Sequence, residues 1–203
     1  MWEKGIVIIL SYLMGCFNTG YYYVKLRYGQ DVRTVGINVT GAYNVSKVAG
    51  KLGFIITFLG DALKGGLSVL LCRWLNLSDT MTMISILLVI VGHIFPFQLK
   101  FKGGKGLSTA FGAFLAFHPL WVIYWFLTCV IFFPIFRRYT ITCLFALMLL
   151  PLELFIGNYP WKMIVFAILY AILILFACRN NLLEYVKARA YQGWGKGKDD
   201  DIQ

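Results

Sequence analysis

The chain has 203 residues and a formal charge of +10, and 60% of its residues are hydrophobic while only 14% are charged. Its mean hydropathy is +0.73, whereas soluble domains are about 45–50% apolar and about 25% charged. This composition excludes a soluble globular domain, a disordered chain and a disulfide-rich secreted scaffold. It predicts an all-α, polytopic integral membrane protein.

Seven apolar segments follow one another, at 6–23, 52–74, 81–97, 107–117, 120–136, 140–157 and 161–177. A spanning helix needs about 20 residues, so the fourth segment is too short to cross alone. It is either a partial helix shielded by protein or the start of one bent helix with the fifth. The first segment lacks a basic n-region and a cleavage site, so we expect a retained span. We expect one domain over 1–190 and a flexible polar tail over 191–203.

The positions of lysine and arginine predict the orientation, since cytoplasmic loops collect these residues. With seven spans, Lys4, Arg73 and Lys162 fall on one side and Lys64 lies inside a span, so that the other fifteen of 19 basic residues share the opposite side. We therefore expect the N-terminus outside and the C-terminus in the cytoplasm. Because the charge excess lies along one membrane face, it indicates lipid and phosphate rather than nucleic acid as partners.

Segment 35–47, between the first two spans, is rich in glycine, asparagine and threonine and ends at a lysine. Its glycines allow close approach of the backbone, and exposed amides beside a cation suit a phosphate. The alternative is an ordinary polar loop with turn glycines.

Asp61 and Lys64 lie three residues apart on one face of an apolar helix. Ionised side chains inside a membrane are costly unless they are paired or face a polar cavity. The pair is therefore either structural or catalytic. His93, at the end of another span, could act as a base, but a single histidine at a helix end more often has a structural hydrogen bond.

Segment 92–109 has the most specific pattern, because Gly103, Gly104 and Gly106 surround Lys105 just before a helix predicted to begin near 107. Such a turn presents unpaired N–H groups and the positive end of the helix dipole to an anion. The spacing does not match a Walker A loop. We predict a phosphate site here, the alternative being a basic loop that only fixes topology.

Arg179 and Asn181 follow the last span directly and could face an anionic headgroup, although such an arginine more often only sets topology. An HxxxxD general base is not supported, because the corresponding positions are Gln98 and Ile123. The five cysteines form no CxxC pair and no Cys/His cluster. We predict no metal and no cofactor.

In chain order, the glycine-rich loop, Asp-x-x-Lys-Gly at 61–65, Gly-His-x-Phe-Pro at 92–96 and Phe-Lys-Gly-Gly-Lys-Gly at 101–106 resemble the bacterial acyl-phosphate:glycerol-3-phosphate acyltransferases. The resemblance extends over nearly the whole chain. It implies a seven-helix enzyme of the bacterial inner membrane, with its active site facing the cytoplasm. Such an enzyme transfers a fatty acyl group from acyl phosphate to the 1-hydroxyl of glycerol 3-phosphate, which gives lysophosphatidate for phospholipid synthesis.

The resemblance also implies site residues. Lys105, Asp61 and Lys64 would be catalytic. The residues that would bind the substrates are Gly36, Gly41, Asn44, Lys47, His93, Lys102, Gly103, Gly104, Gly106, Ser108, Thr109, Arg179 and Asn181.

Three departures from the family pattern fall in the expected acceptor site. Ile37, Lys47 and Cys178 stand where the family usually has serine, arginine and histidine. A lysine cannot supply the bidentate fork of an arginine. The donor loop is therefore retained, while the acceptor site is altered.

The implied mechanism needs no protein base, because acyl phosphate is a mixed anhydride whose leaving phosphate can accept the hydroxyl proton. Lys105 and the amides of the glycine loop would neutralise charge on that phosphate. Two alternatives stay open: the same donor with a different hydroxyl acceptor, and a non-catalytic protein that binds or transports lipid or anions. The sequence contains no inverted repeat of the usual transporter kind.

Overall fold

A computed structural model describes residues 2–196 of the chain. These residues form eight α-helices and two 3-10 turns, at Val32–Thr34 and Phe97–Leu99, with no β-strand among them. The all-α prediction is confirmed. The helices are α1 Trp2–Cys16, α2 Thr19–Tyr28, α3 Ala42–Trp74, α4 Asp79–Ile94, α5 Leu107–Phe117, α6 Pro119–Phe136, α7 Tyr139–Ile156 and α8 Trp161–Lys196.

Five helices in the described part of the chain are long and apolar enough to cross a membrane, namely α3, α4, α6, α7 and α8. A sixth span results if α1 and α2, which meet at a 40° bend, are counted together. With the short helix α5, all seven predicted apolar segments are helical. Many large apolar side chains remain exposed, such as Ile131 at 65% and Phe155 at 68%, as expected for surfaces that face lipid.

The short segment 107–117 is a helix of its own and not the start of α6. His118 separates the two helices in an extended conformation with φ −149° and ψ 94°, and Pro119 begins α6. The residue before a proline disfavours helical geometry, whereas proline itself fits the first helical turn. Of the two predicted arrangements, the partial helix is therefore confirmed.

Two helices depart from the predicted limits. Helix α3 begins ten residues before the predicted span and breaks at Gly50, whose φ is +61°. Helix α8 continues to Lys196, so its backbone includes the first residues of the predicted polar tail. Residues 197–203 of that tail lie outside the described residues, and the domain boundary at 190 stays a prediction.

Glycines allow the helices around the polar centre to approach closely. A Cβ on Gly15 of α1 would overlap the backbone of α4, and one on Gly92 of α4 would overlap the backbone of α1. In the same way, Gly65 of α3 and Gly112 of α5 lie against each other's helix backbones. Small residues permit such close packing inside membranes. It brings the charged face of α3 against the ends of α4 and α5.

Candidate active site

A cavity of about 390 Å³ opens between loop 35–41, α3, the glycine-rich loop and helices α5 to α7. One end of it is polar. Asn44, Asp61, His93, Lys105 and Ser108 all contribute to its lining. Residues that are far apart in the sequence thus meet at one site.

The glycine-rich loop is attached to its neighbours by backbone hydrogen bonds. Gly103 N–H donates to the Ile94 carbonyl over 3.1 Å, and Gly104 N–H donates to the His93 carbonyl over 3.0 Å. Thr40 N–H in turn donates to the Gly103 carbonyl over 3.3 Å. The expectation of unpaired amides is therefore wrong for Gly103 and Gly104, because both amides hold the loop to the end of α4.

Unpaired amides do occur a few residues further on, at the start of α5. Gly106, with φ +83°, precedes the helix. The first hydrogen bond of the helix runs from Ala110 N–H to the Gly106 carbonyl. The amides of residues 107–109 thus have no partner within the helix, which is usual for a first turn. They point the positive end of the helix dipole toward the cavity end where Lys105 and Ser108 lie.

Lys105 is the cation of the cavity. Its side chain is almost buried, at 9% exposure, and it has no ion pair among the described residues. Burial lowers the pKa of Lys105 below that of an ordinary lysine, Cys178 and Glu184 oppose this shift, and the positive charge of Lys47 adds to it. A buried cation without an ion pair favours an anion as its missing partner.

Asp61, Lys64 and His93 form a buried cluster beside the cavity. The Lys64 ammonium lies 2.9 Å from Asp61 Oδ1 and 2.8 Å from His93 Nδ1. It also donates to the carbonyls of Gly15, over 3.1 Å, and Phe17, over 2.6 Å. Asp61 and His93 reach the cavity wall, while Lys64 supports them from behind.

Asn44 shapes the first polar loop from within. Its amide donates to the carbonyls of Val32, Val35 and Val39, and its Oδ1 accepts from Ile37 N–H. A Cβ on Gly36, whose φ is +62°, would lie against Asn44 Oδ1 and the Lys47 side chain. Asn44 and Gly36 thus fold the loop, and their predicted contacts with substrate stay predictions.

Several residues predicted to bind substrate lie away from the cavity lining. Lys102 is exposed. Arg179 is also exposed, donates to the Phe176 carbonyl and lies 4.2 Å above the Phe176 ring. Thr109 is fully buried, with an Oγ1 that has no partner among the described residues. Of the predicted site residues, the cavity lining includes Gly41, Asn44, Asp61, His93, Lys105, Gly106 and Ser108.

The larger part of the cavity is apolar, and its residues escaped prediction. Helices α3, α5, α6 and α7 supply this part of the lining: Phe54, Phe58, Phe111, Val122, Trp125, Phe126, Cys129, Tyr139, Thr140 and Cys143. Trp125 Nε1 donates to the Cys143 carbonyl over 2.9 Å and joins α6 to α7. A high aromatic content was visible in the sequence, but no local spacing marked these side chains.

Arg33 also contributes to the site, although no sequence motif marked it as a site residue. It pairs with Asp31 at 2.7 Å and donates to the Leu99 carbonyl over 2.7 Å. The hydrogen bond from Arg33 lowers the pKa of Asp31. Arg33 thereby ties the first polar loop to the 3-10 turn before the glycine-rich loop, and it fixes the distance between the two cationic loops.

This arrangement defines an integral membrane protein with a buried lysine and a helix start at a largely apolar cavity. The sequence matches the family described as "Glycerol-3-phosphate acyltransferase" over residues 5–188. The chain belongs to this family.

Relatives and solved structures agree with this assignment. Glycerol-3-phosphate acyltransferase 1 of Bacillus thuringiensis subsp. konkukian is 37% identical over 86% of this chain and 96% of the relative. Glycerol-3-phosphate acyltransferase 1 of Desulfitobacterium hafniense is 37% identical over 90% of this chain and 92% of the relative. A crystal structure of PlsY (YgiH), an integral membrane glycerol 3-phosphate acyltransferase in its glycerol 3-phosphate form, is 30% identical, with a TM-score of 0.84 over 92% of this chain and 93% of that one. Its lysophosphatidic acid form gives a TM-score of 0.81 at 28% identity.

Proposed function

We propose that the protein transfers a fatty acyl group from acyl phosphate to the 1-hydroxyl of glycerol 3-phosphate, giving lysophosphatidate. The observation that carries this proposal is the shape of the cavity, whose end at Lys105 and the start of α5 continues into an apolar channel lined by aromatic rings. An acyl phosphate has the same two parts, an anionic head and an apolar tail. The relatives and the PlsY structures, whose names and forms include glycerol 3-phosphate and lysophosphatidic acid, support the acceptor and the product.

In this reaction the acceptor oxygen attacks the acyl carbonyl carbon, and the bond from that carbon to the bridging oxygen of the phosphate breaks. Inorganic phosphate leaves and accepts the proton of the attacking hydroxyl, so the charges and atoms balance without a protein base. Lys105 and the amides of residues 107–109 stabilise the negative charge that grows on the phosphate. Preorganised donors of this kind commonly provide the largest part of catalysis.

The channel positions the reacting carbonyl. Phe54 and Phe58 of α3, Phe111 of α5, and Trp125 and Phe126 of α6 line the cavity. Burial of an acyl chain among these rings contributes about 0.8 kcal/mol per methylene group. That energy holds the anhydride at Lys105 while water is kept away.

A second candidate has the same donor and a different hydroxyl acceptor. Ile37 lines the cavity where a polar side chain would be expected to contact a polyol. Lys47 offers the acceptor one ammonium group and not the bidentate fork of an arginine. Ile37 lies in the loop that Asn44 shapes, and Lys47 follows it in the first turns of α3. Another phosphorylated polyol, or a hydroxyl on a lipid, would be the substrate in that case.

The membrane arrangement is part of the proposal. We place the protein in the bacterial inner membrane, with the N-terminus outside and the cavity's polar end at the cytoplasmic face. The support is the distribution of the 19 lysines and arginines, of which three lie on the opposite side. Labelling of single cysteines introduced at Lys100 and Lys162 with a membrane-impermeant reagent tests this. We expect labelling of intact cells at 162 only, and labelling at 100 would contradict the orientation.

Purified protein in lipid nanodiscs, given acyl phosphate and labelled glycerol 3-phosphate, tests the activity. We expect lysophosphatidate and inorganic phosphate in equal amounts, and no product when acyl-CoA replaces acyl phosphate. Parallel reactions with glycerol and other phosphorylated polyols test the acceptor. A faster reaction with one of these would favour the second candidate, and no turnover of acyl phosphate by folded protein would contradict both.

A further inference from the structure

The hydrogen bonds around His93 determine which ring nitrogen can carry its proton. Lys64 Nζ lies 2.8 Å from His93 Nδ1 and 2.9 Å from Asp61 Oδ1. An ammonium has hydrogens to donate and no lone pair. It cannot accept a hydrogen from Nδ1, so Nδ1 must face the ammonium with its lone pair.

The opposite tautomer has no acceptor for its proton. A hydrogen on Nδ1 would face the Lys64 ammonium, and Asp61 Oδ1, at 3.6 Å, is too far away for a good hydrogen bond. If His93 were a protonated imidazolium, two cations, His93 and Lys64, would lie side by side with one carboxylate, Asp61, to balance both charges. The charged groups facing His93 are Asp61 and Lys64 from α3, with Lys105 from the glycine-rich loop lining the same cavity.

The other ring nitrogen lies at the cavity. His93 is 2% exposed and contributes to the cavity wall, and Nε2 makes no hydrogen bond with a described residue. A Cβ on Gly104 would overlap Nε2. The second glycine of the loop therefore makes room for this nitrogen beside Lys105.

We propose that Lys64 holds His93 as the neutral tautomer with its proton on Nε2, and that this N–H donates a hydrogen bond to an anionic oxygen of the substrate. Lys64 is then a positioning residue. His93 is a donor that works together with Lys105, and it takes no proton during the reaction. The role of the substrate oxygen rests on the proposed function, whereas the tautomer does not.

Nitrogen NMR of histidine-labelled protein tests the tautomer without any turnover. The chain has two histidines, so the variant His118→Gln leaves the signals of His93 alone. We expect one protonated and one unprotonated nitrogen near pH 7, with the protonated nitrogen coupled to both ring C–H protons, which identifies it as Nε2. Inorganic phosphate is expected to move the Nε2 signal. A proton on Nδ1, or an imidazolium, would overturn the proposal.

A separate experiment tests whether Lys64 fixes the tautomer of His93. In Lys64→Met we expect a mixture of the two tautomers, and an unchanged Nε2–H spectrum would overturn the part of the proposal that concerns Lys64. If this variant does not fold, the wild-type spectrum still decides, because a locked ring keeps the same tautomer across the pH range in which ordinary histidines titrate.

Kinetics test the donor role. The side-chain amide of glutamine can place an N–H near Nε2, whereas leucine has no donor. We expect His93→Leu to lose about 10²–10³-fold in kcat, as removal of one oxyanion donor does, and His93→Gln to recover at least about tenfold of it. Equal losses in both variants, with a rising pH limb near neutrality in the wild type, would identify a general base and overturn the donor role.

Discussion

Replacement of Lys105 by methionine tests the anion site most simply. The side chain is 9% exposed, so its charge acts on a bound phosphate with little screening by solvent. Two unit charges about 4 Å apart at an effective dielectric constant of about 20 interact by about 4 kcal/mol. Since about 1.4 kcal/mol corresponds to a factor of ten, we expect Lys105→Met to lower kcat/KM by about 10³-fold.

The same substitution is expected not to destabilise the fold. Burial lowers the pKa of Lys105, which means that the folded protein without substrate binds this proton less well than the unfolded chain does. Below both pKa values the buried ammonium therefore costs stability. As the pH rises through the lowered pKa toward that of an ordinary lysine, the wild type gains stability, and Lys105→Met lacks this gain.

Initial rates with acyl phosphate and glycerol 3-phosphate, together with thermal unfolding in the same detergent, measure both effects. Lys187→Ala is the control, because Lys187 is an exposed lysine of the long helix α8. We expect this control to keep its rate. A loss of less than tenfold in folded Lys105→Met would refute the reasoning, as would a large fall in melting temperature at neutral pH, which would indicate a structural role.

Three further substitutions test the site and the loops that position it. In Gly104→Ala the new Cβ overlaps His93 Nε2, so we expect kcat to fall by about 10²-fold or more. The control Gly5→Ala lies at an open position and should keep its activity. Equal activity of the two variants would contradict the role of Gly104. Phe126→Ala widens the apolar channel, and competition between acyl phosphates of different length should shift toward longer chains; an unchanged preference would exclude Phe126 from chain selection. Arg33→Met removes the bond to the Leu99 carbonyl and should raise KM more than it lowers kcat, whereas a pure kcat effect would speak against a role in loop positioning. Arg33→Met also removes the group that lowers the pKa of Asp31. The wild type loses stability as the pH falls through this lowered pKa, and the variant should lack this loss.

Much of the fold could be predicted because hydropathy is a local property. All seven apolar segments are helices, and His118-Pro119 marks the break between α5 and α6. The bend between α1 and α2 could not be predicted in this way. Asn18 adopts an extended conformation there, and its side chain bonds to Thr40 and to the Cys16 carbonyl, contacts that depend on a distant loop.

The candidate site was predictable where chemistry follows spacing along the chain. Lys105 with its glycines was recognisable because a glycine-rich turn before a helix suits an anion. Asp61 with Lys64 was recognisable because intramembrane charges are rare outside functional sites. The roles of the individual site residues could not be predicted. Asn44 folds its own loop, and the Gly103 amide is occupied by Ile94, because both contacts arise from tertiary packing.

The aromatic channel shows the same limit. Its rings come from four helices, and each ring looks like an ordinary apolar residue of a membrane span. Only the assembled helices show that Phe58, Phe111 and Trp125 share a cavity with a lysine. A hydrophobic pattern indicates which segments are buried in lipid or protein, but not which side chains face an internal space.

The central claim is that one cavity holds the phosphate at Lys105 and the acyl chain among the rings of α3, α5 and α6. A crystal structure with an acylmethyl phosphonate, in which a CH2 group replaces the bridging oxygen so that transfer cannot occur, tests it most directly. We predict phosphonate oxygens within hydrogen-bond distance of Lys105 Nζ and the start of α5, with the chain beside Phe111 and Trp125. A phosphonate bound elsewhere, or a chain lying outside the channel, would contradict the claim.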